Sequence, residues 1–228
     1  MVPPRITREL GRNGVRVGHN RVARLMRENE LTRHVRKKFR STTNSDHDLP
    51  VAENLVNREF AVGTANRVWV SDITYIATAE GWLYLCVVID LYSRKVIGWA
   101  MSRRMKTVLV LRALTMALMR RGWPPGVTFH SDRGTQYCSR AFRRKLNVYH
   151  LRQSMSRKGN CWDNAPSESF FNTLKNELNG NRAFASRSEV QAMIFEYTEV
   201  FYNRVRLHSS IGYVPPTEYE EDLVEKAI

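Results

Sequence analysis

Three acidic residues have the types and spacing to do chemistry: Asp72 in WVSDITYI, Asp132 in FHSDRGTQY and Glu168 in NAPSESFFNTLKNEL. Asp72 interrupts an apolar, β-rich run. Asp132 closes the short run from Val127 to Phe129, just ahead of a turn at Gly134. Glu168, separated from Asp132 by 35 residues, falls early in a helix-like stretch opened by Asn164, Ala165 and Pro166. Carboxylates on two strand ends and one helix can converge on a pair of divalent cations. Such a pair, about 4 Å apart, clamps the attacking and leaving oxygens of an in-line phosphoryl transfer. Two Mg2+ ions suit the task, with Mn2+ as a substitute, because hard ions take oxygen ligands.

The chain holds 22 Asp and Glu, and most acids on a folded surface are simply solvated. Context separates these three. An unpaired charge inside an apolar strand is costly if buried, and the polar loop after Asp132 is of the kind that lines a site. Lys175 lies two helical turns beyond Glu168, roughly 10 Å along the same face, where it can hold a phosphate of DNA. Asp90 is the rival to Asp72. With the first hairpin centred between Ala79 and Glu80, Asp72 pairs with Val87. Asp90 then sits three residues away on the opposite face and caps the second turn.

Other candidates carry bland readings beside the functional ones. His130 either orients the site or is a satisfied strand histidine. Asn164 either meets DNA or Glu168, or only caps the helix. Asp163 is a second possible third acid but precedes the helix. Ser167 and Ser169 have no histidine base in evident range. Tyr202 with Arg204, Arg206 and His208 has the composition of a tyrosine-nucleophile cluster. Packing of the C-terminal helices on the core, with DNA contact by the arginines, is the simpler reading.

The elements that must position the acids follow from pattern. Strands are expected over Arg67–Ile76, Trp82–Leu91 and Lys95–Ser102, joined by two turns. A helix follows over Thr107–Arg121, stopped by Pro124-Pro125-Gly126. Then come a strand carrying Asp132, a short helix over Ser139–Leu146, a strand over Tyr149–Ser154 and the Glu168 helix. Antiparallel hairpins followed by β-α-β-α give an α/β fold, the order of an RNase H-like mixed five-stranded sheet flanked by helices. Upstream, Ile6–Arg12 and a helix starting near Asn20 surround a glycine-marked turn. Val22, Leu25 and Met26 share one face of the second helix, leaving Arg21 and Arg24 free for DNA. A helix-turn-helix and a plain helical hairpin read alike here. The following stretch is basic, then polar, and reads as a linker in which Arg36, Lys37 and Lys38 track a DNA backbone or stay solvated.

A net charge of +14 points to a polyanionic partner, and the first 40 residues hold 12 Lys/Arg against three Glu. Phosphate neutralisation by such groups gives sequence-independent, salt-sensitive affinity. Cys86, Cys138 and Cys161 are scattered and odd in number, so neither a disulfide framework nor a zinc site is expected. No apolar run approaches the ~20 residues needed to span a bilayer, and MVPPRITREL is not a signal segment. A cytoplasmic protein is expected.

WVSDITYIATAEGWLYLCVVIDLYSRKVIGWAM, TFHSDRGTQYCS, SMSRKGNCWDNAPSESFFNTLKNEL and YTEVFYNRVRLHSSIGYVPPTEYE stand in fixed order over about residues 5 to 220. Together they resemble the integrase-like core of bacterial insertion-sequence transposases, in particular the second reading frame of the IS-three family. The resemblance implies an RNase H-like fold and a DDE triad at Asp72, Asp132 and Glu168. It also implies Mg2+-dependent cleavage and strand transfer, with Lys175 near the DNA end. The chain then divides into a helix-turn-helix-like segment (1–31), a basic and polar linker (32–66), a catalytic core (67–180) and C-terminal helices packed on it (181–228). Expected partners are transposon-end and target DNA, further copies of the chain on DNA, and a partner protein or fused segment supplying end recognition. Two rivals stay open: a nuclease on the same fold, and a truncated DNA-binding remnant that competes for transposon ends.

Overall fold

The computed structural model describes residues 3–31, 47–179 and 184–225. Two short helices, α1 (Pro3–Arg12) and α2 (His19–Glu28), come first. The sheet begins with β1 (Val68–Thr78), β2 (Gly81–Asp90) and β3 (Val96–Ser102). It continues through α3 (Thr107–Arg120), β4 (Thr128–Ser131), α4 (Thr135–Cys138), α5 (Arg140–Val148) and β5 (Arg152–Met155). A 3-10 turn, Cys161–Asn164, leads into α6 (Ala165–Asn179), followed by α7 (Arg187–Phe195), a π-helical extension Glu196–Tyr202 and α8 (Pro216–Glu225). Strand order is β3-β2-β1-β4-β5. The first three strands are antiparallel, and β4 and β5 run parallel to β1. This is the mixed five-stranded sheet that the pattern predicts.

Because β1 is central, it is covered on both faces, which is why its run is apolar nearly throughout. Trp69, Ile73, Cys86 and Val88 pack with α3 and α5 on one side. Val70, Val87 and Ile89 pack with Phe170, Phe171 and Leu174 of α6 and with Val190 and Ile194 of α7 on the other. The sheet meets α3 without a gap at Gly98. A Cβ there would run into the Ala113 carbonyl and stand 2.8 Å from the Ala117 nitrogen.

Several boundaries differ from expectation for local reasons. α5 runs on to Val148 and ends through Tyr149 and a left-handed His150 (φ 55), so β5 starts at Arg152 rather than Tyr149. Gly18, not Asn20, stands at the start of α2. Val22 and Met26 are buried as expected, but Leu25 is 41% exposed. The described part of the expected linker, 47–66, lies along the core. Leu55 N–H donates to Ser154 Oγ, Asn66 N–H donates to Asp90 Oδ2, and Val56 is buried. Among the described residues no helix is long and apolar enough to cross a membrane.

Candidate active site

Strand register brings the first two acids together. Ser71 of β1 stands opposite Ser131 of the parallel β4, so the next residues, Asp72 and Asp132, emerge side by side where β4 ends. Adjacent strands are about 4.8 Å apart. Asp72 pairs with Val87 on its other side, as the hairpin spacing requires. Alternation puts it on the face covered by α6. Asp90 pairs with Trp69 on the opposite face, where its carboxylate accepts from the Asn66 and Tyr92 N–H groups and lies 3.3 Å from Arg121. Asp90 is a turn cap.

Glu168 arrives from α6. Phe170, Phe171 and Leu174 anchor that helix in the apolar cluster. The preceding turn is pinned to β1 by Asn164, whose Nδ2 donates to the Ser71 carbonyl at 3.3 Å. With 4% exposure, Asn164 spends its side chain on this docking and leaves little surface for DNA. Asp72 itself is 9% exposed and accepts from the Ile73 N–H at 2.7 Å. Burial, and then the charges of Asp132 and Glu168, push its carboxyl well above the usual carboxylate range. The Ile73 bond and Lys175 act the other way. Burial also raises the Glu168 carboxyl. Asp132 accepts from the Gly134 N–H at 3.0 Å, which shapes the turn after β4.

The other acids of the interior are treated differently. Asp163 is fully buried and takes Arg157 Nη2 at 2.7 Å, Arg58 Nε at 2.9 Å and Asn54 Nδ2 at 2.9 Å, and the Arg157 guanidinium holds its carboxyl well below the usual range. Glu177 pairs with Arg206 and Arg5. Glu220 pairs with Arg121 and Lys95. Asp72 has no such arginine: among the described residues it makes no ion pair, and its nearest charges are mostly of its own sign. A buried carboxylate facing other carboxylates is unfavourable alone and is what a divalent cation would relieve. Among the described residues no three Asp, Glu, His or Cys side chains already stand at the distances of a formed metal site. Asp72, Asp132 and Glu168 supply the hard oxygen donors such an ion takes.

Asp163 is the positioning residue that its sequence setting did not reveal. Its backbone carbonyl accepts from His130 Nε2 at 2.9 Å, and His130 Nδ1 meets Ser154 Oγ at 2.8 Å. Since a carbonyl only accepts, Nε2 carries the proton and Nδ1 accepts from the serine. His130 is thus a satisfied strand histidine that also ties β4, and with it Asp132, to the turn preceding Glu168. The sequence signal was poor because the clamp draws on Arg58, 105 residues away.

Lys175 Nζ lies 5.1 Å above the Tyr75 ring, three residues along β1 from Asp72. On α2, Arg21 and Arg24 are exposed, and Arg24 lies 3.6 Å from Glu28. Arg36, Lys37 and Lys38 fall outside the described residues. Tyr202 is 3% exposed against Phe170, and its phenol is pushed up to about 12, chiefly by burial. It is not a nucleophile. Arg206, expected at DNA, is instead buried against Glu177.

Residues 64–161 match the integrase core domain family, 149–216 match a second integrase core domain family, and 4–39 match an HTH-like domain. The chain is 49% identical over 217 residues to the insertion element IS600 uncharacterized 31 kDa protein of Shigella sonnei, covering 95% of this chain and 80% of that one. It is 46% identical to transposase InsF for insertion sequence IS3A of Escherichia coli K12, covering 95% and 75%. Among solved structures it resembles the HTLV-2 integrase catalytic core domain in complex with magnesium (TM-score 0.52, 17% identity, 68% of this chain and 95% of that one). It also resembles a simian T-cell lymphotropic virus intasome chain (TM-score 0.58, 16% identity, 78% and 60%). An integrase-type sheet, an HTH-like N-terminus and nearly half-identical relatives leave one assignment: the chain belongs to the IS3 family of insertion-sequence transposases.

Proposed function

We propose that this chain cuts DNA at the ends of a mobile element and joins the freed 3′ hydroxyl to another phosphodiester, using Asp72, Asp132 and Glu168 as metal ligands. The observation that carries the reading is the acidic cluster in which the buried Asp72, which makes no ion pair among the described residues, meets the half-buried Asp132 on the adjoining parallel strand and the half-buried Glu168 on α6. Two Mg2+ ions, or Mn2+, would neutralise it and supply the clamp for in-line displacement at phosphorus. The chain's own part is placement. β1 and β4 fix two carboxylates, the Asp163–His130 tie sets the third, and Lys175 stands beside them to take a phosphate. Water is the nucleophile for cleavage and the DNA hydroxyl for joining, so no covalent protein intermediate is required.

DNA binding rests on charge. Arg21, Arg24 and Arg27 are exposed on α2, whereas Arg5 and Arg12 of α1 are engaged with Glu177 and Glu218. End-specific transposition, in this reading, draws on further copies of the chain and on a partner segment that supplies recognition and pairing. The test is a strand-transfer assay on a matching terminal repeat with Mg2+, run with the isolated chain and with a partner-fused form. Joined product supports the proposal. Cleavage without joining makes the chain a nuclease, and binding without either makes it a competing remnant. Strong discrimination of terminal-repeat from scrambled DNA by the isolated chain refutes the partner requirement.

A further inference from the structure

Three tryptophans are exposed, and two of them lean on a neighbouring ring: Trp82 edge-on to Tyr75 at 4.7 Å, and Trp123 over Tyr149 at 4.8 Å. Trp162 is the most exposed at 69% and, among the described residues, has no ring against it. Leaving so large an apolar surface in water is unfavourable, and here it does not sit on a slack loop. The next residue, Asp163, is fully buried and held by Arg58, Arg157 and Asn54. The one after that, Asn164, is fixed to the Ser71 carbonyl, one residue from Asp72. Two residues of chain span at most about 7 Å, so the backbone of Trp162 lies close to the acidic cluster. The segment around it is basic: Arg157 and Arg58 gather on the single charge of Asp163, Lys158 follows Arg157 in the chain, and Arg133 Nε donates to the nearby Ser156 carbonyl.

A rigidly displayed indole beside a positive surface is the arrangement that binds single-stranded nucleic acid, with bases stacking on the ring and phosphates meeting the cations. We infer that Trp162 is a stacking platform for an unpaired base at the DNA end being processed. The inference rests on the DNA-end reading above and adds a frayed or flipped terminal nucleotide to it. Stacking is sequence-tolerant because every base has a π-face, so the platform serves any end sequence.

The experiment compares wild type, Trp162→Ala and Trp162→Phe, each as the full chain. The probes are a blunt duplex and the same duplex carrying a three-nucleotide overhang with 2-aminopurine as its unpaired base. Wild type is expected to prefer the overhang and to quench the 2-aminopurine on binding. Trp162→Ala should lose that preference by about 5- to 150-fold, the range of one base–aromatic stack, and lose the quenching. Trp162→Phe should retain most of both, and blunt-duplex affinity should stay unchanged throughout. The proposal is overturned if wild type shows no overhang preference, or if Trp162→Ala keeps the preference and quenching. It is equally overturned if the alanine variant loses only self-association in sedimentation, which would make Trp162 a protein contact. Joining by wild type in Mg2+ is scored in parallel, so quenching without joining removes the transferase reading but leaves the platform. Joining with an indifferent Trp162→Ala does the reverse.

Discussion

Asp72→Asn should make the metal-free protein more stable while abolishing its proposed chemistry. The substitution keeps the Oδ1 acceptor that receives the Ile73 N–H at 2.7 Å, so little geometry changes. It removes a buried charge that faces Asp132 and Glu168. Two like charges about 5 Å apart repel by roughly 3 kcal/mol at an effective dielectric of about 20. Partial exposure of Asp132 cuts this to about 1–2 kcal/mol, or roughly 2–8 °C in Tm for a chain of this size. The sign of the pH dependence follows from a folded-state pKa raised above its unfolded value. The repulsion is absent below an unfolded aspartate pKa near 3.9 and is felt increasingly as pH rises through the raised folded value. Wild type in EDTA should therefore lose stability relative to Asp72→Asn as pH rises above about 4. Mg2+ should reverse the order, because an ion at 100 times its Kd stabilises the form that binds it by about 2.7 kcal/mol. Thermal melts of both proteins in EDTA and in Mg2+, across pH, read all of this directly. If Asp72→Asn melts lower than wild type in EDTA, or gains as much from Mg2+, Asp72 is not an uncompensated metal ligand.

Lys175→Ala should weaken DNA binding and lower the slope of log K against log salt by about one; an unchanged slope in a fluorescence-anisotropy titration makes it an ordinary surface lysine. Asp163→Ala frees the turn that sets Glu168, and a displacement of about 1 Å at a reacting centre costs on the order of 100-fold. Joining should fall by about that much while DNA affinity holds, and equal losses in both would show the clamp serving only the fold. Gly98→Ala forces a Cβ into the backbone of α3 and should destabilise by about 1–3 kcal/mol or more, read as a fall in denaturation midpoint; a neutral outcome would mean that α3 rides further from the sheet.

What was legible in the sequence is what depends on alternation and local turn chemistry. The pairing of Asp72 with Val87 follows from counting back from one hairpin, and the same count sends Asp90 to the opposite face. Misplaced features depend on partners distant in sequence. Residues 47–66 look like a tether because they lack periodicity, but their order comes from backbone bonds to Ser154 and Asp90. Arg206 looks like a DNA contact because it is basic and near the end of the chain, yet Glu177 claims it from 29 residues away. Leu25 fits an apolar stripe by spacing, but α2 is covered over only part of that stripe, so Val22 and Met26 are buried and Leu25 is not.

These cases share an electrostatic logic that distinguishes charges that build the fold from those proposed to act. Among the described residues, the buried acids outside the site are matched by arginine, Asp90 by Arg121 and Asp163 by Arg58 and Arg157, and so are the half-buried Glu220, by Arg121, and Glu177, by Arg5 and Arg206. Removing one partner of such a pair leaves a charge stranded and destabilises. Asp72 stands apart, buried beside acids on a chain whose net charge is +14. With basic residues this plentiful, an arginine beside Asp72 would have been the ready way to stabilise the fold. Such a pairing would also have neutralised the carboxylate and competed with any cation. The unmatched charge is therefore best understood as stability given up at one place. It also explains why the neighbouring Asp163 clamp is so heavily bonded: the turn that carries Glu168 toward two other acids must be held there against their repulsion.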